Sequence, residues 1–233
     1  MAVSVAGGGA PRRGRPRGTL NQARFEEVVQ AAAEVFSEKG YVAATLQDIA
    51  TRVGMLKGSL YYYIESKEDL LYELLRRAHL QGVSFVVEDP ETAASDPPSR
   101  IAALIRRWLL GVWSLPSPLR ITEYEFDHRY LEPKRRAEIL SMRRHITQSV
   151  QDIIDAGIRD GSFHHSVDPY AAACTLLRVV NTTGRWYRPG GSVTWEQATD
   201  WIVGLFLGGL AHGPAPAEAG SPDPSSKRSL SPL

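Results

Sequence analysis

The sequence predicts an all-α protein, and three observations carry that prediction. Apolar residues recur at spacings of three and four through most of the chain, and no segment shows sustained strand alternation. Ser/Thr-x-x-acid/amide caps and glycine stops separate the periodic runs at helix-length intervals.

The first helix is expected to start at Thr19, paired with Gln22 in a capping box, and to bury Phe25, Val28, Val29, Ala32 and Phe36 before a left-handed stop at Gly40. Thr45 with Asp48 caps a second helix whose stripe is Leu46, Ile49, Ala50 and Val53. Gly54 breaks it, and a very short helix follows over 56–63. Ser66 and Asp69 open a long connector bearing Leu70, Leu71, Leu74, Leu75 and Ala78, which reaches about 87. Residues 89–98, with Pro90, Pro97 and Pro98, read as a linker. The next helix carries Ile101, Leu104, Ile105, Trp108, Leu109 and Val112 and ends near Pro116. A shorter aromatic and acidic helix is predicted over 118–130, then a long one from Pro133 to Asp160 with Gly161 as its stop. Asp168-Pro169 opens a helix that ends at 189–191, and Thr194 with Gln197 caps a last one to about Ala211. The total is roughly nine helices.

Composition narrows the function classes. There are 27 Lys and Arg against 26 Asp and Glu, so bulk charge makes no case for nucleic acid. Cys174 stands alone, which excludes an intrachain disulfide and a cysteine-built zinc site. No apolar segment follows the N-terminal arginines, and the run 201–210 is about half a membrane span, so the chain reads as soluble and cytoplasmic. No cofactor or metal pattern is found. Four units are expected: a disordered basic arm (1–18), a helix-turn-helix domain (19–65), an effector-binding and dimerisation domain (66–212) and a disordered tail (213–233).

A helix of about eight residues, a glycine turn and a second very short helix form a helix-turn-helix pattern. No carboxylate lies between Arg52 and Ile64. The outward face is expected to show Lys57, Ser59, Tyr62 and Tyr63, with Gly58 beside them and the Tyr61 ring turned inward, its hydroxyl reaching out. Thr45 and Lys57 lie near helix N-termini, which favour phosphate, and Lys67 can reach the DNA backbone from outside the motif. Leu56, Lys57 and Tyr62 are the candidates for base edges. Arg12, Arg13, Arg15 and Arg17 form an arm suited to a minor groove; a solubilising tail is the alternative.

The stretch AAAEVFSEKGYVAATLQDIATRVGMLKGSLYYYIESKEDLLYELL resembles the DNA-binding domain of the tetracycline-repressor family of bacterial regulators, within a match running from Arg24 to Leu75. Phe36-x-x-x-Gly40-Tyr41, Thr45, Asp48-Ile49-Ala50, Gly54, Gly58-Ser59-Leu60-Tyr61 and Ser66 to Leu71 stand in the family's order and spacing. Ile64 replaces the usual Phe, and Met55-Leu56-Lys57 replaces a more polar turn, which points to an operator preference of its own. The resemblance implies an operator-binding regulator that pairs through its last two long helices and houses an effector in the others.

On the residues themselves, Trp201, Leu205, Phe206 and the small Gly208 make the last helix apolar nearly all round, as a helix meeting another helix would be. Trp186 and Tyr187 are assigned to the same interface, with the ligand as the alternative. A two-fold dimer predicts a pseudo-palindromic duplex operator. Effector candidates are Trp108, Val112, Trp113, Tyr124, Phe126, Asp127, Met142, Ile146, Leu177, Arg178, Asn181 and Arg185. Arg178 interrupts an apolar run, so its guanidinium needs a carboxylate or an anionic ligand.

The stretch from Asn181 to Gly191, with Gly161-Ser-Phe and Asp168, resembles the family's fatty-acid and sterol-catabolism branch, which implies an acyl-coenzyme A effector. Arg106, Arg107, Arg143, Arg144, Arg185 and Arg188 offer cations for its phosphates. A multidrug-type sensor using Glu123, Glu125 and Asp127 is the alternative. An enzyme built on His164, His165, Asp168 and Cys174 is the rival from another class, but their spacing matches no catalytic pattern, and no catalytic residue is assigned.

Overall fold

The computed structural model describes residues 17–86, 95–114, 128–188 and 190–213, with the side chains of 17–20, 112–114 and 185 left aside. Among the described residues there are eight α-helices, one 3-10 turn and no strand. They are α1 (Arg17–Lys39), α2 (Leu46–Arg52), α3 (Lys57–Leu60), α4 (Lys67–Val86), α5 (Pro97–Ser114), a 3-10 turn (His128–Tyr130), α6 (Pro133–Asp160), α7 (Pro169–Trp186) and α8 (Trp195–His212). Most of the expected helix over 118–130 falls outside the described residues.

Local chemistry accounts for most boundaries. Thr45 caps α2 with both bonds of a capping box, Asp48 N donating to its hydroxyl at 3.2 Å and Thr45 N donating to the Asp48 carboxylate at 2.9 Å. Thr194 and Gln197 repeat the device on α8, and Asp168 caps the Pro169 start of α7. Gly54 takes φ 66°, a left-handed turn that lets Met55 N reach Ala50 O at 2.8 Å. Two starts differ from expectation. α1 begins at Arg17 rather than Thr19, which puts Thr19 inside the helix, and the Gln22 amide donates forward to Glu26 at 3.0 Å. α5 begins at Pro97, because Asp96 caps it by accepting from Ser99 N, and prolines are at home in a first turn.

Two apolar cores result. The head core gathers Val29, Phe36, Ile49, Leu60, Leu70, Leu71, Leu74 and Leu75 from α1–α4, together with Leu131, just before α6, and Ile139 of α6. The receptor core joins Phe85 of α4, Leu104 and Trp108 of α5, Ile146 and Val150 of α6, Leu177 of α7 and Ile202 of α8. Helices α4 and α6 therefore run through both. The expected boundary at 65/66 cuts through the head core, whose Leu70 and Leu71 are fully buried. Among the described residues, no helix is long and apolar enough to cross a membrane.

Candidate functional site

The exposed face of the helix-turn-helix is built around α3. Leu60 is fully buried, and Tyr63 and Ile64 follow it onto the same side at helical spacing. Leu56 is left 81% exposed, Tyr62 74% and Tyr61 53%, with Lys57, Gly58 and Ser59 also exposed. This corrects the expectation for the tyrosines. Tyr63, not Tyr61, turns inward, since it shares a face with the anchor Leu60. Asn21 of α1 donates to the Tyr62 hydroxyl at 3.4 Å, and the Tyr62 and Tyr63 rings meet edge to face at 5.2 Å.

Two expected phosphate ligands already have other work. The Thr45 hydroxyl donates to Asp48 at 2.8 Å while accepting that residue's N–H. Asp48 also accepts from Lys39 at 2.7 Å; with the Thr45 bonds, this holds its carboxyl at a pKa of about 2. Lys67 was expected to reach outward, but its ammonium donates to Tyr41 O (2.7 Å), Val42 O (3.3 Å) and Ala44 O (2.9 Å). It also lies 4.4 Å from the centre of the Tyr41 ring, and burial lowers its pKa. Its partners lie in the α1–α2 turn, which no local pattern could reveal. Arg52 is likewise held by Glu34 and Glu38. Arg15 lies outside the described residues, as does the Arg17 side chain.

The effector candidates separate into four groups. Trp108, Ile146 and Leu177 are buried together in the receptor core, and Trp108 Nε1 donates to Asn181 Oδ1 at 2.7 Å. That bond joins α5 to α7 and places a polar pair within apolar surroundings. Met142 instead packs against the head core, one helical turn before Ile146. Arg178 is exposed, so the buried guanidinium expected from its apolar run does not occur; the run belongs to an amphipathic helix whose outer face carries it beside Val179. Tyr124, Phe126 and Asp127 lie outside the described residues, as do the side chains of Val112, Trp113 and Arg185.

On the outer face of the last two helices, Leu205 is 79% and Trp201 61% exposed, with Trp186 also exposed. Nothing lies within 4 Å of a Cβ built at Gly204 or Gly208, so that face admits a second helix at close range. Phe206 leans into the receptor core. Tyr187 was expected at the same interface, but it is buried within its own chain, edge-on to Trp195 at 4.9 Å. A groove of about 540 Å³ lies between the start of α7 and the end of α8, lined by Asp168, Ala172, Thr175, Leu205, Phe206 and Leu210 among others. None of the effector candidates among the described residues lines it. His164 and His165 stack on each other, His164 Nδ1 meets Ser166 Oγ at 2.7 Å, and Asp168 is engaged as a cap. Among the described residues, no group of three His, Cys, Asp or Glu is placed to hold a metal.

Comparison with known proteins agrees with this architecture. Residues 28–74 match the family described as bacterial regulatory proteins, tetR family, and residues 94–210 match the tetracyclin repressor-like C-terminal domain. The chain is 31% identical over 189 residues to the HTH-type transcriptional repressor KstR2 of Rhodococcus jostii, covering 81% of this chain and 91% of that protein. It is 29% identical to the KstR2 of Mycobacterium tuberculosis H37Rv over 84% of this chain and 96% of the relative. Among solved structures, a tetR-family regulatory protein from Rhodococcus RHA1 superposes with a TM-score of 0.70 at 25% identity, covering 80% of this chain and 96% of that one. AibR in complex with isovaleryl coenzyme A and operator DNA gives 0.65 at 26% identity, over 78% of this chain and 97% of the other. The chain belongs to the tetracycline-repressor family of helix-turn-helix transcriptional regulators.

Proposed function

We propose that the protein is a homodimeric repressor that grips a pseudo-palindromic operator with its two α3 faces and leaves it on binding an acyl-coenzyme A thioester. The observation that carries the DNA half is the carboxylate-free face of Leu56, Lys57, Ser59, Tyr61 and Tyr62, raised on a fully buried Leu60. Lys57 and the hydroxyls suit phosphates, while Leu56 and Tyr62 are prominent enough to enter a groove. The exposed Trp201 and Leu205 of α8, flanked by Gly204 and Gly208, supply the pairing surface.

The effector class rests on two supports: the repressor relatives, and the likeness to AibR, which has been solved with isovaleryl coenzyme A. An acyl chain entering the receptor core would meet Trp108 and Asn181; the indole N–H is already given to Asn181 Oδ1, so the pair braces α5 against α7 as part of an otherwise apolar wall. Release then follows if the thioester favours a receptor shape that holds the two heads at the wrong separation.

The test is DNA release measured by fluorescence anisotropy, with isovaleryl, long-chain and ring-bearing acyl-coenzyme A thioesters set against their free acids. Thioesters should dissociate the complex and free acids should not. Release by hydrophobic cations, with none by thioesters, would replace the effector class with a multidrug type.

A further inference from the structure

The first turn of α4 sends Lys67 to the α1–α2 turn and both Glu68 and Asp69 to the start of α6. Lys67 holds the carbonyls of Tyr41, Val42 and Ala44, the segment leading into the Thr45 cap of α2. Asp69 accepts from the N–H groups of Glu65 and Ser66, at 2.7 and 2.8 Å, and pairs with Arg135 at 2.6 Å. Glu68 accepts from Glu132 N at 2.9 Å and lies 3.5 Å from the same guanidinium. Glu132 and Arg135 stand at the start of α6, whose later turns form the receptor core. Arg135 also lies over the Tyr72 ring at 5.0 Å, Tyr72 donates to Glu138 at 2.7 Å, and the Tyr130 ring meets Tyr41 at 5.0 Å.

We propose that Arg135 is a specificity-determining positioning residue for operator spacing: by fastening the first turn of α6 to the first turn of α4, it fixes the angle at which the helix-turn-helix is held on the receptor. The buried Leu131 and Ile139 supply adhesion at this joint, but apolar contact is non-directional. A guanidinium shared between two carboxylates has direction. The lever is long. Helix α4 has 20 residues, about 30 Å at 1.5 Å each. A rotation of about 10° at its far end would move a head by about 5 Å, more than the ~3.4 Å axial rise that one extra base pair adds. The proposal needs no effector, and rests on the functional reading only in requiring two heads per operator.

The experiment uses the full chain and a duplex operator selected from a random DNA pool, compared with the same duplex carrying one extra base pair between its half-sites. The quantity read is the ratio of the two affinities, in which the loss of one positive charge cancels. Arg135→Gln should lower that discrimination about two- to fivefold, the scale of a partly exposed ion pair, while Arg135→Lys retains more of it. Arg159→Gln, which removes the same charge from the exposed far end of α6, should leave the ratio unchanged. A lower melting temperature with an unaltered ratio means that Arg135 is merely structural, and overturns the proposal. Should Arg135→Gln fail to fold, Glu68→Gln, which leaves the Asp69 pair and cap intact, decides the matter by the same ratio. A monomer, or an operator without repeated half-sites, removes the dimeric reading and this proposal together; a dimer with an unchanged ratio removes this one alone.

Discussion

Lys57 and Tyr62 reach solvent from a helix of four residues and the turn that follows it, with Leu60 alone as the helix's fully buried anchor. Because Lys67 and Thr45 are engaged within the head, Lys57 is the cation of the α3 face that we propose for phosphate contact. Lys57→Ala should weaken operator binding and lower the slope of log affinity against log salt by about 1, measured by anisotropy across a salt series. His79 is the residue whose burial has the clearest pH consequence. It is buried on α4, its Nδ1 is 2.8 Å from Leu75 O, and burial holds its pKa below the usual imidazole value; the Leu75 carbonyl opposes the shift and Arg143 adds to it. The stability it contributes by staying neutral is complete above the unfolded pKa of about 6.5. It falls as pH drops below that toward the lowered native value, because the unfolded chain takes up a proton that the native one resists. His79→Leu should flatten this part of the stability profile in urea melts between pH 5 and 7.

At the scale of elements, α4 and α6 matter most, since each contributes to both cores. Ile139 is nearly fully buried in the head core although it belongs to a helix of the receptor. Ile139→Ala should therefore cost about 2–5 kcal/mol, as large-to-small core changes do. Its signature should be faster hydrogen exchange at the amides of α2, far along the chain from the substitution. A head held by α4 alone would leave those amides as protected as before. The capping boxes of α2 and α8 work more locally, fixing where each helix starts and so where its outward residues point.

The whole molecule is organised as two cores crossed by two shared helices, with an apolar face on α7 and α8 that is exposed among the described residues. Leu205 is the most exposed of the large apolar residues on that face. Leu205→Glu would place a carboxylate from each copy at a two-fold interface, where it would be desolvated against apolar neighbours. The variant should sediment as a monomer and lose operator affinity while keeping its helical circular dichroism. A variant that stays dimeric would move the pairing surface elsewhere.

The sequence by itself determined the all-α class, most of the helix starts, the left-handed turn at Gly54 and the carboxylate-free face around α3. These features are set within three or four residues of chain: a cap, a period, a glycine or an absence of acids. Only the tertiary structure decided that Tyr63 rather than Tyr61 turns inward, that Lys67 holds the Tyr41–Ala44 carbonyls, that Arg178 stays exposed and that Met142 faces the head. It alone joined Arg135 to Asp69. Each of these depends on which helix faces meet, and helix contacts are made by residues distant in the chain, where spacing carries no signal. The α3 face was legible because exposure there follows from one short helix; the joint behind it was not, because it takes two.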